Sequence, residues 1–320
     1  MLVRLVVDPQ VLIVYHAFLA LQQELSPDTN RLQSPFCFVR LPSEDDAKRL
    51  IRRSLLSAAI YELWGIGPDY PSLHEDVKSR SCHAWPLYKT CSFSFDFDTY
   101  QGKRSNPERR ALIETFKYLS FSGPIIMKKP SQTFFILEEY AQLRAAAPTR
   151  VALGRLIATS GRAAISTYDL KKRRYISTTS MDAELALVTA NMALAAPGRL
   201  VYDPFMGTGS FPLACAHFGA SVLGSDIDGR SIRGTRNRNV VANFVQYGTR
   251  SSYLDGFVSD LTNSPLRGCL GGMGGRKGRW LDGIVCDPPY GVREGLKVLG
   301  SLKEDLQHEV ILPDGTPAHL

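Results

Sequence analysis

The sequence lacks paired cysteines. Its 320 residues include six cysteines, and none forms a Cys-x-x-Cys pair. At this length, scattered cysteines are typical of reduced thiols in a cytoplasmic compartment, which excludes a disulfide-stapled secreted scaffold. The spacing of His74, Cys82, His83 and Cys91 matches no zinc pattern. We therefore expect a cytoplasmic protein without a bound metal.

Long apolar runs are also missing. The longest, Val11 to Leu21, contains Tyr15 and His16 and falls short of the roughly 20 residues that span a bilayer. The first residues carry no basic cluster, and Asp8-Pro9 interrupts the place where the apolar core of a secretory signal would begin. These features predict neither a membrane anchor nor a secretory signal.

The composition is that of an ordinary globular protein, with 44% hydrophobic and 22% charged residues, so disorder and collagen are excluded. The 38 Lys and Arg exceed the 31 Asp and Glu, giving a net charge of +7, which mildly favours a polyanionic partner. A chain of this length predicts two domains, which we place at residues 1–150 and 151–320.

The first region has the pattern of a small α+β module. Ser43 is suited to cap a helix, and apolar residues at helical spacing continue from Ala47 to Ala59, with Gly65 and Gly67 predicted to end the helix. Residues 1 to about 32 match no regular element. Strands are predicted at Phe36–Leu41, Ser92–Asp98 and Thr133–Leu137.

The second region alternates short apolar strands with helices. Each strand ends at or just before an acidic residue, a pattern that predicts a doubly wound parallel sheet whose ligands bind beyond the carboxyl ends of the strands. The strands are predicted at Arg199–Tyr202, Ser221–Ser225, Gly256–Ser259 and Gly283–Cys286, followed by Asp203, Asp226, Asp260 and Asp287.

A glycine turn follows the first of these strands. Gly207 and Gly209 allow a ligand to approach the backbone closely, and Asp226 is suited to hold the two hydroxyls of a ribose. No lysine follows the glycines, which argues against a P-loop, and Pro212 replaces the third glycine of the dinucleotide fingerprint. These two elements alone leave a nicotinamide cofactor open, and the glycine turn also suits a purely structural role.

The sequence Asp287-Pro288-Pro289-Tyr290 is more specific. An exocyclic amino group of a nucleobase is a weak nucleophile because its lone pair is delocalised into the ring. If the Asp287 carboxylate and the Pro288 carbonyl accept its hydrogens, the nitrogen can direct that lone pair at an electrophilic methyl group. Proline fixes φ and so holds the carbonyl in place, and Tyr290 is positioned in sequence to stack on an extruded base.

Residues 34–320 resemble the catalytic subunit of the eukaryotic tRNA guanine-10 N2-methyltransferase family. In the second half, the resemblance is carried by the segments Tyr175–Asp182, Asp203–Ser210, Gly224–Asp228 and Asp287–Gly295. In the first half, it is carried by Ser34–Leu41, Ile60–Gly65, Tyr118–Gly123 and Gln132–Tyr140, which are similar to that family's N-terminal region and THUMP RNA-binding domain.

The resemblance implies a fold class and a set of roles. It implies a Rossmann-like class I methyltransferase sheet preceded by an α+β THUMP-like RNA-binding module, with S-adenosylmethionine as cofactor. It implies tRNA and a small zinc-containing activator subunit as partners, the latter adding a strand to the third strand at the sheet edge. The implied cofactor contacts are Thr179, Ser180, Asp203, Gly207, Gly209, Asp226 and Asp260, and the implied guanine contacts are Asp287, Pro288, Pro289 and Tyr290.

Other interpretations remain open. Because the sequence stops soon after Asp287, we expect a sheet that is incomplete at its C-terminal side, truncated after the fourth strand. Asp-Pro-Pro-Tyr by itself also suits a methyltransferase for adenine, cytosine or a protein amide. A further possibility is a truncated, non-catalytic chain that binds only tRNA or the activator. The basic runs Lys171–Arg174 and Arg230–Arg238 suit either solvated surfaces or phosphate contacts.

Overall fold

The computed structural model describes residues 35–261, 264–266 and 280–289, together with the backbone of three strands at 3–8, 309–311 and 317–319. The chain divides into two compact units, Met1–Arg162 and Ala163–Leu320. The division thus falls after Arg162, not after residue 150. The strand Arg150–Thr159 pairs on both sides with strands of the first unit, and this pairing holds it there.

The first unit is built on a six-stranded mixed sheet. The strands are β1 (Val3–Asp8), β2 (Phe36–Arg40), β3 (Ser57–Gly67), β4 (Phe93–Tyr100), β5 (Gln132–Glu139) and β6 (Arg150–Thr159). They lie in the order β2-β1-β3-β6-β5-β4. β1 pairs in parallel with β2 and β3, β6 is antiparallel to both of its neighbours, and β4 pairs with β5 in parallel.

Helices pack against this sheet and enclose an aromatic core. Trp64 of β3 is 1% exposed, and its ring lies 4.8 Å from that of Phe134 of β5, which is fully buried. Large buried aromatic side chains contribute strongly to a core because each removes a large apolar area from water. The helices are α1 (Glu44–Arg53), α2 (Tyr70–Arg80), α3 (Trp85–Tyr88) and α4 (Asn106–Glu114).

Two expectations for the first unit were wrong. Ser43 does cap α1, since its side chain accepts a hydrogen bond from the Asp46 N–H at 3.1 Å, but the helix ends at Arg53. Of the residues expected to continue it, Ser57 to Ala59 begin β3 instead, where pairing with β1 and β6 outweighs a helical spacing of apolar residues. Val3–Asp8, for which no regular element was expected, forms β1 between β2 and β3.

The second unit contains a four-stranded, fully parallel sheet. The strands are β7 (Leu200–Asp203), β8 (Ser221–Asp226), β9 (Tyr253–Val258) and β10 (Gly283–Ile284). They lie in the order β10-β7-β8-β9, so among the described strands β9 is at an edge, as expected. The helices are α5 (Ala163–Thr167), α6 (Ala183–Met192), α7 (Ser210–His217), α8 (Gly229–Arg233) and α9 (Val240–Gln246).

Beyond β10, the structure describes two further strands. β11 (Glu309–Ile311) and β12 (Pro317–His319) pair as an antiparallel two-stranded sheet. In the described part of the chain, no helix is both long and apolar enough to span a bilayer.

Candidate functional site

The glycine turn connects β7 to α7. Gly207 has φ +49° and Gly209 has φ +85°, both in the left-handed region that favours glycine. The turn lies against β8, because the Met206 N–H donates to the Ser225 carbonyl at 2.9 Å. Backbone N–H groups at the start of α7 therefore face the carboxyl edge of the sheet, where a helix terminus favours polar ligands.

Asp226, the last residue of β8, is hydrogen-bonded to this turn. One carboxylate oxygen accepts from the Gly207 N–H at 2.8 Å, and the other accepts from the Asp228 N–H at 2.8 Å. A carboxylate oxygen has two lone pairs, so each can also accept from a ligand hydroxyl. A Cβ added to Gly207 would lie 4.0 Å from Asp226 Oδ2, so the turn passes close to this carboxylate.

Asp203, at the end of β7, is 2% exposed. One oxygen accepts from the Phe205 N–H at 2.9 Å, while Oδ2 has no hydrogen-bond partner among the described residues. Burial raises the pKa of Asp203 to about 8, and the negative charges of Asp226 and Asp287 add to this rise. The site therefore contains a buried carboxyl group with one oxygen that lacks a hydrogen-bond partner among the described residues, within electrostatic reach of two other carboxyl groups.

Asp287 reaches this edge through β10. Gly283 and Ile284 pair in parallel with Val201 and Tyr202 of β7, and the Val285 N–H continues the pairing to the Tyr202 carbonyl at 3.0 Å. The residues that follow thus leave the sheet beside Asp203. Pro288 is exposed, and Asp287 and Pro289 are half-buried. Tyr290 lies outside the described residues.

The segment that precedes α6 also reaches the glycine turn. The Ser180 hydroxyl lies 2.8 Å from the Thr208 hydroxyl, and Ser180 Oγ accepts from the Ser177 N–H at 2.9 Å. Thr179 is exposed, with its hydroxyl 3.2 Å from that of Ser177. Ser180 is thus in direct contact with the turn, while Thr179 lies one residue away.

Asp260 lies two residues beyond β9. It is 5% exposed, and its carbonyl accepts from the Ser259 hydroxyl at 3.2 Å. The Ser259 N–H donates to the Asp226 carbonyl at 3.1 Å, which holds this stretch beside the end of β8. Asp260 therefore belongs to the same carboxyl edge as the other three acids, although its role there remains a prediction.

Asn243 on α9 is a residue that the sequence reasoning missed. It is 1% exposed, and its side chain accepts from the Tyr175 N–H at 3.0 Å and donates to the Tyr175 carbonyl at 2.8 Å. The same amide nitrogen donates to the Thr208 carbonyl at 3.2 Å. One buried side chain thus joins the segment leading to Ser180 with the glycine turn.

Gln246 extends this contact one turn along α9. Its side chain accepts from the Arg174 N–H at 2.9 Å and donates to the Lys172 carbonyl at 2.7 Å. Together, the Asn243 and Gln246 side chains donate to and accept from backbone groups between Lys172 and Tyr175. A buried amide with these bonds fully made stabilises one arrangement of the two segments. Two amide residues three positions apart in an otherwise apolar helix were the sequence signal for this contact.

The fold and the site together define a class of protein. An α+β unit is followed by a class I methyltransferase sheet, with the glycine turn after its first strand and acidic residues at the carboxyl ends of the strands. The family model described as "Tmrp11 THUMP N-terminal domain" matches residues 21–162. The THUMP-like assignment of the first unit is therefore confirmed.

The particular family follows from curated relatives named "tRNA (guanine(10)-N(2))-methyltransferase". The relative from Saccharomyces cerevisiae is 45% identical over 297 residues, which cover 90% of this chain and 66% of the relative. The relative from Schizosaccharomyces pombe is 43% identical over 290 residues, covering 90% and 60%. The relative from Homo sapiens is 36% identical over 289 residues, covering 85% and 60%.

Over 85 to 90% of its length the chain is similar to these curated tRNA guanine-10 N2-methyltransferases, which confirms the resemblance. It spans 60 to 66% of the length of these curated relatives. The solved structure of TrmN from Thermus thermophilus aligns with 64% of this chain and 58% of its own, at 18% identity and a TM-score of 0.34. That score is too low to add to the sequence relationship.

Proposed function

We propose that this chain transfers a methyl group from S-adenosylmethionine to the exocyclic N2 of guanosine 10 in tRNA. The observation that carries the proposal is the clustering of Asp203, Asp226 and Asp287 at one edge of a parallel sheet, next to the glycine turn. The similarity over 90% of the chain to proteins named for this reaction supports guanine as the acceptor, in preference to adenine, cytosine or a protein amide.

The residues present fit the cofactor. In the proposed complex, Asp226 accepts hydrogen bonds from the ribose hydroxyls while keeping its bonds to the Gly207 and Asp228 amides. The buried Oδ2 of Asp203 gains the partner it lacks among the described residues. Ser180 and Thr179 face the methionine part, and Asp260 faces the adenine amino group. When bound, S-adenosylmethionine supplies an electrophilic methyl group.

Asp287 and Pro288 act on the acceptor. Their carboxylate and carbonyl oxygens accept hydrogen bonds from the guanine amino group, orienting its nitrogen lone pair towards the methyl donor. This is catalysis by orientation and needs neither a covalent intermediate nor a strong base. The base must leave its stack to reach the site, and in the proposed complex Tyr290 stacks on it.

The test is methylation of a transcribed tRNA by the chain co-purified with its activator subunit, because we expect the chain alone to turn over little or no substrate. The nucleosides are then identified by nuclease digestion and mass spectrometry. We expect one N2-methylguanosine, which disappears when guanosine 10 is replaced by adenosine. Asp287→Ala should lower the rate by about 100-fold or more, since misplaced reacting groups cost rates of that order. Asp282→Ala is the matched control, because Asp282 is an exposed acid that immediately precedes β10, at the end of the strand opposite to Asp287. Methylation of adenine, or equal rates in the two variants, would refute the proposal.

A second part of the proposal concerns the zinc-containing activator subunit. β9 pairs only with β8 among the described strands, and two of its apolar side chains, Leu254 and Val258, are 52% and 41% exposed. An unpaired apolar edge favours addition of a strand from a partner. Co-expression with the activator should slow hydrogen exchange of the Tyr253–Val258 amides, and unchanged exchange there would contradict docking at this edge. We place the complex in the cytoplasm.

A further inference from the structure

Two basic runs that are far apart in the sequence meet in the second unit. Arg238 Nε donates to the Arg174 carbonyl at 3.2 Å, and the Tyr175 hydroxyl donates to the Ser231 carbonyl at 2.8 Å. These bonds join the run before the cofactor segment to the run after β8. The three arginines Arg174, Arg236 and Arg238 are exposed here, and we call them the arginine patch.

The patch is not neutralised within the described part of the chain. Arg230 is not a member of the patch, since its guanidinium forms an ion pair of 2.8 Å with the Asp228 carboxylate. For the three patch arginines, the described residues provide no carboxylate within 4.0 Å of the guanidinium nitrogens. Like charges held near one another repel, so an anion that binds between them is favoured. A guanidinium group donates in a planar fork that matches phosphate oxygens.

The backbone that carries the patch is ordered by short-range bonds. Arg236 lies at the tip of a tight turn in which Thr235 and Arg238 exchange N–H···O bonds of 2.8 and 3.1 Å. Arg174 is held by its N–H bond of 2.9 Å to Gln246. Arg173, in the same basic run, is buried and donates to the Ser210 hydroxyl at 2.7 Å, so it is not part of this surface.

The patch lies beside the proposed cofactor site. Arg174 is followed by Tyr175. The Asn243 amide nitrogen donates both to the Tyr175 carbonyl and to the Thr208 carbonyl of the glycine turn. Arg238 is two residues before Val240, which packs against Gly209: a Cβ on that glycine would lie 3.2 Å from Val240 Cγ1. The patch is therefore carried by segments that contact the glycine turn one or two residues away along the chain.

We propose that the arginine patch binds backbone phosphates of the RNA whose base enters the site. This inference rests on the proposed function and adds a second RNA-binding surface, on the methyltransferase unit, to the one expected of the THUMP-like unit. RNA is favoured over an acidic protein because regularly spaced phosphates match separate guanidinium groups and because the relatives are named for a tRNA substrate.

The test compares Arg174→Gln together with Arg236→Gln against the control Arg199→Gln. Arg199 is exposed and immediately precedes β7, at the amino edge of the same sheet. Binding of a transcribed tRNA is measured at several salt concentrations. Since each phosphate contact contributes about 0.7 to 0.9 to the magnitude of the slope of log K against log salt, the double variant should lower that magnitude by roughly 1.4 to 1.8. Affinity at 0.1 M salt should fall about tenfold or more, while Arg199→Gln leaves the slope almost unchanged.

The outcomes separate this inference from the function on which it rests. The same slope in the wild-type chain and the double variant overturns the patch and leaves methylation of guanosine 10 untouched. A decrease of about half that size in the control, which removes one charge where the double variant removes two, also overturns it, because the effect would then be one of net charge. Failure of the wild-type chain to bind tRNA refutes both. Unchanged binding of S-adenosylhomocysteine in the double variant, measured by calorimetry, shows that the fold of the second unit is intact.

Discussion

Replacing Asp203 by asparagine tests the electrostatics of the site directly. In the folded chain, burial raises the pKa of this carboxyl group to about 8, with further repulsion from Asp226 and Asp287, whereas an unfolded aspartate has a pKa of about 3.9. Between these values the folded state holds a proton that the unfolded state has released. The contribution of Asp203 to stability is thus fully present below pH 4 and is lost as the pH rises towards 8.

The magnitude follows from linkage. With one proton more in the folded state, the free energy of unfolding should fall by about 1.4 kcal/mol per pH unit between roughly pH 5 and 7.5 because of this group. At pH 7 the accumulated loss is about 4 kcal/mol. An asparagine side chain at this position cannot ionise, and its oxygen can still accept from the Phe205 N–H, so Asp203→Asn should remove most of that loss. The unpartnered amide hydrogens retain a penalty of about 1 to 3 kcal/mol.

Hydrogen exchange followed by mass spectrometry is the suitable assay, because it reports the opening of the second unit separately from the first. The opening free energy of peptides covering β7 and α7 is measured from pH 6 to 8.5, after correction for intrinsic exchange. We expect a slope in the wild-type chain that is absent in Asp203→Asn and retained in the control Asp255→Asn, which changes an exposed acid of the same sheet. Equal slopes in all three proteins would refute the reasoning.

Two further predictions concern contacts that the fold brings together. Asn243→Ala should raise the dissociation constant of S-adenosylhomocysteine by about tenfold, since it removes three buried hydrogen bonds that Asn243 makes with the cofactor segment and the glycine turn. The control is Asn191→Ala on α6. Equal affinities of the two variants in calorimetry would contradict the prediction. Ser43→Ala should lower the unfolding free energy of the first unit by about 1 kcal/mol through loss of the α1 cap. Urea denaturation followed by the fluorescence of Trp64 and Trp85, with Trp280 replaced by phenylalanine, would show an unchanged midpoint if this is wrong.

The carboxyl edge of the second unit was predictable because its signals are local. A strand of four to six residues followed by an acid or a glycine turn occupies a short stretch of sequence, and parallel pairing brings the strand ends to one edge. Asp203, Gly207 and Asp226 therefore appear together in the structure, with Gly207 and Asp226 in direct contact. Asp287 comes to the same edge because β10, which precedes it, pairs in parallel with β7.

What the sequence by itself determined, then, is the class of fold, the family and the edge where the chemistry lies, because local patterns and close relatives carry that information. Tertiary structure alone decided which segments lie side by side. It placed Val3–Asp8 within a sheet, ended α1 at Arg53 in favour of β3, and joined Asn243 to Tyr175 and Thr208. These outcomes depend on pairing between residues far apart along the chain, where the hydrogen bonds and burial gained on folding outweigh local propensity.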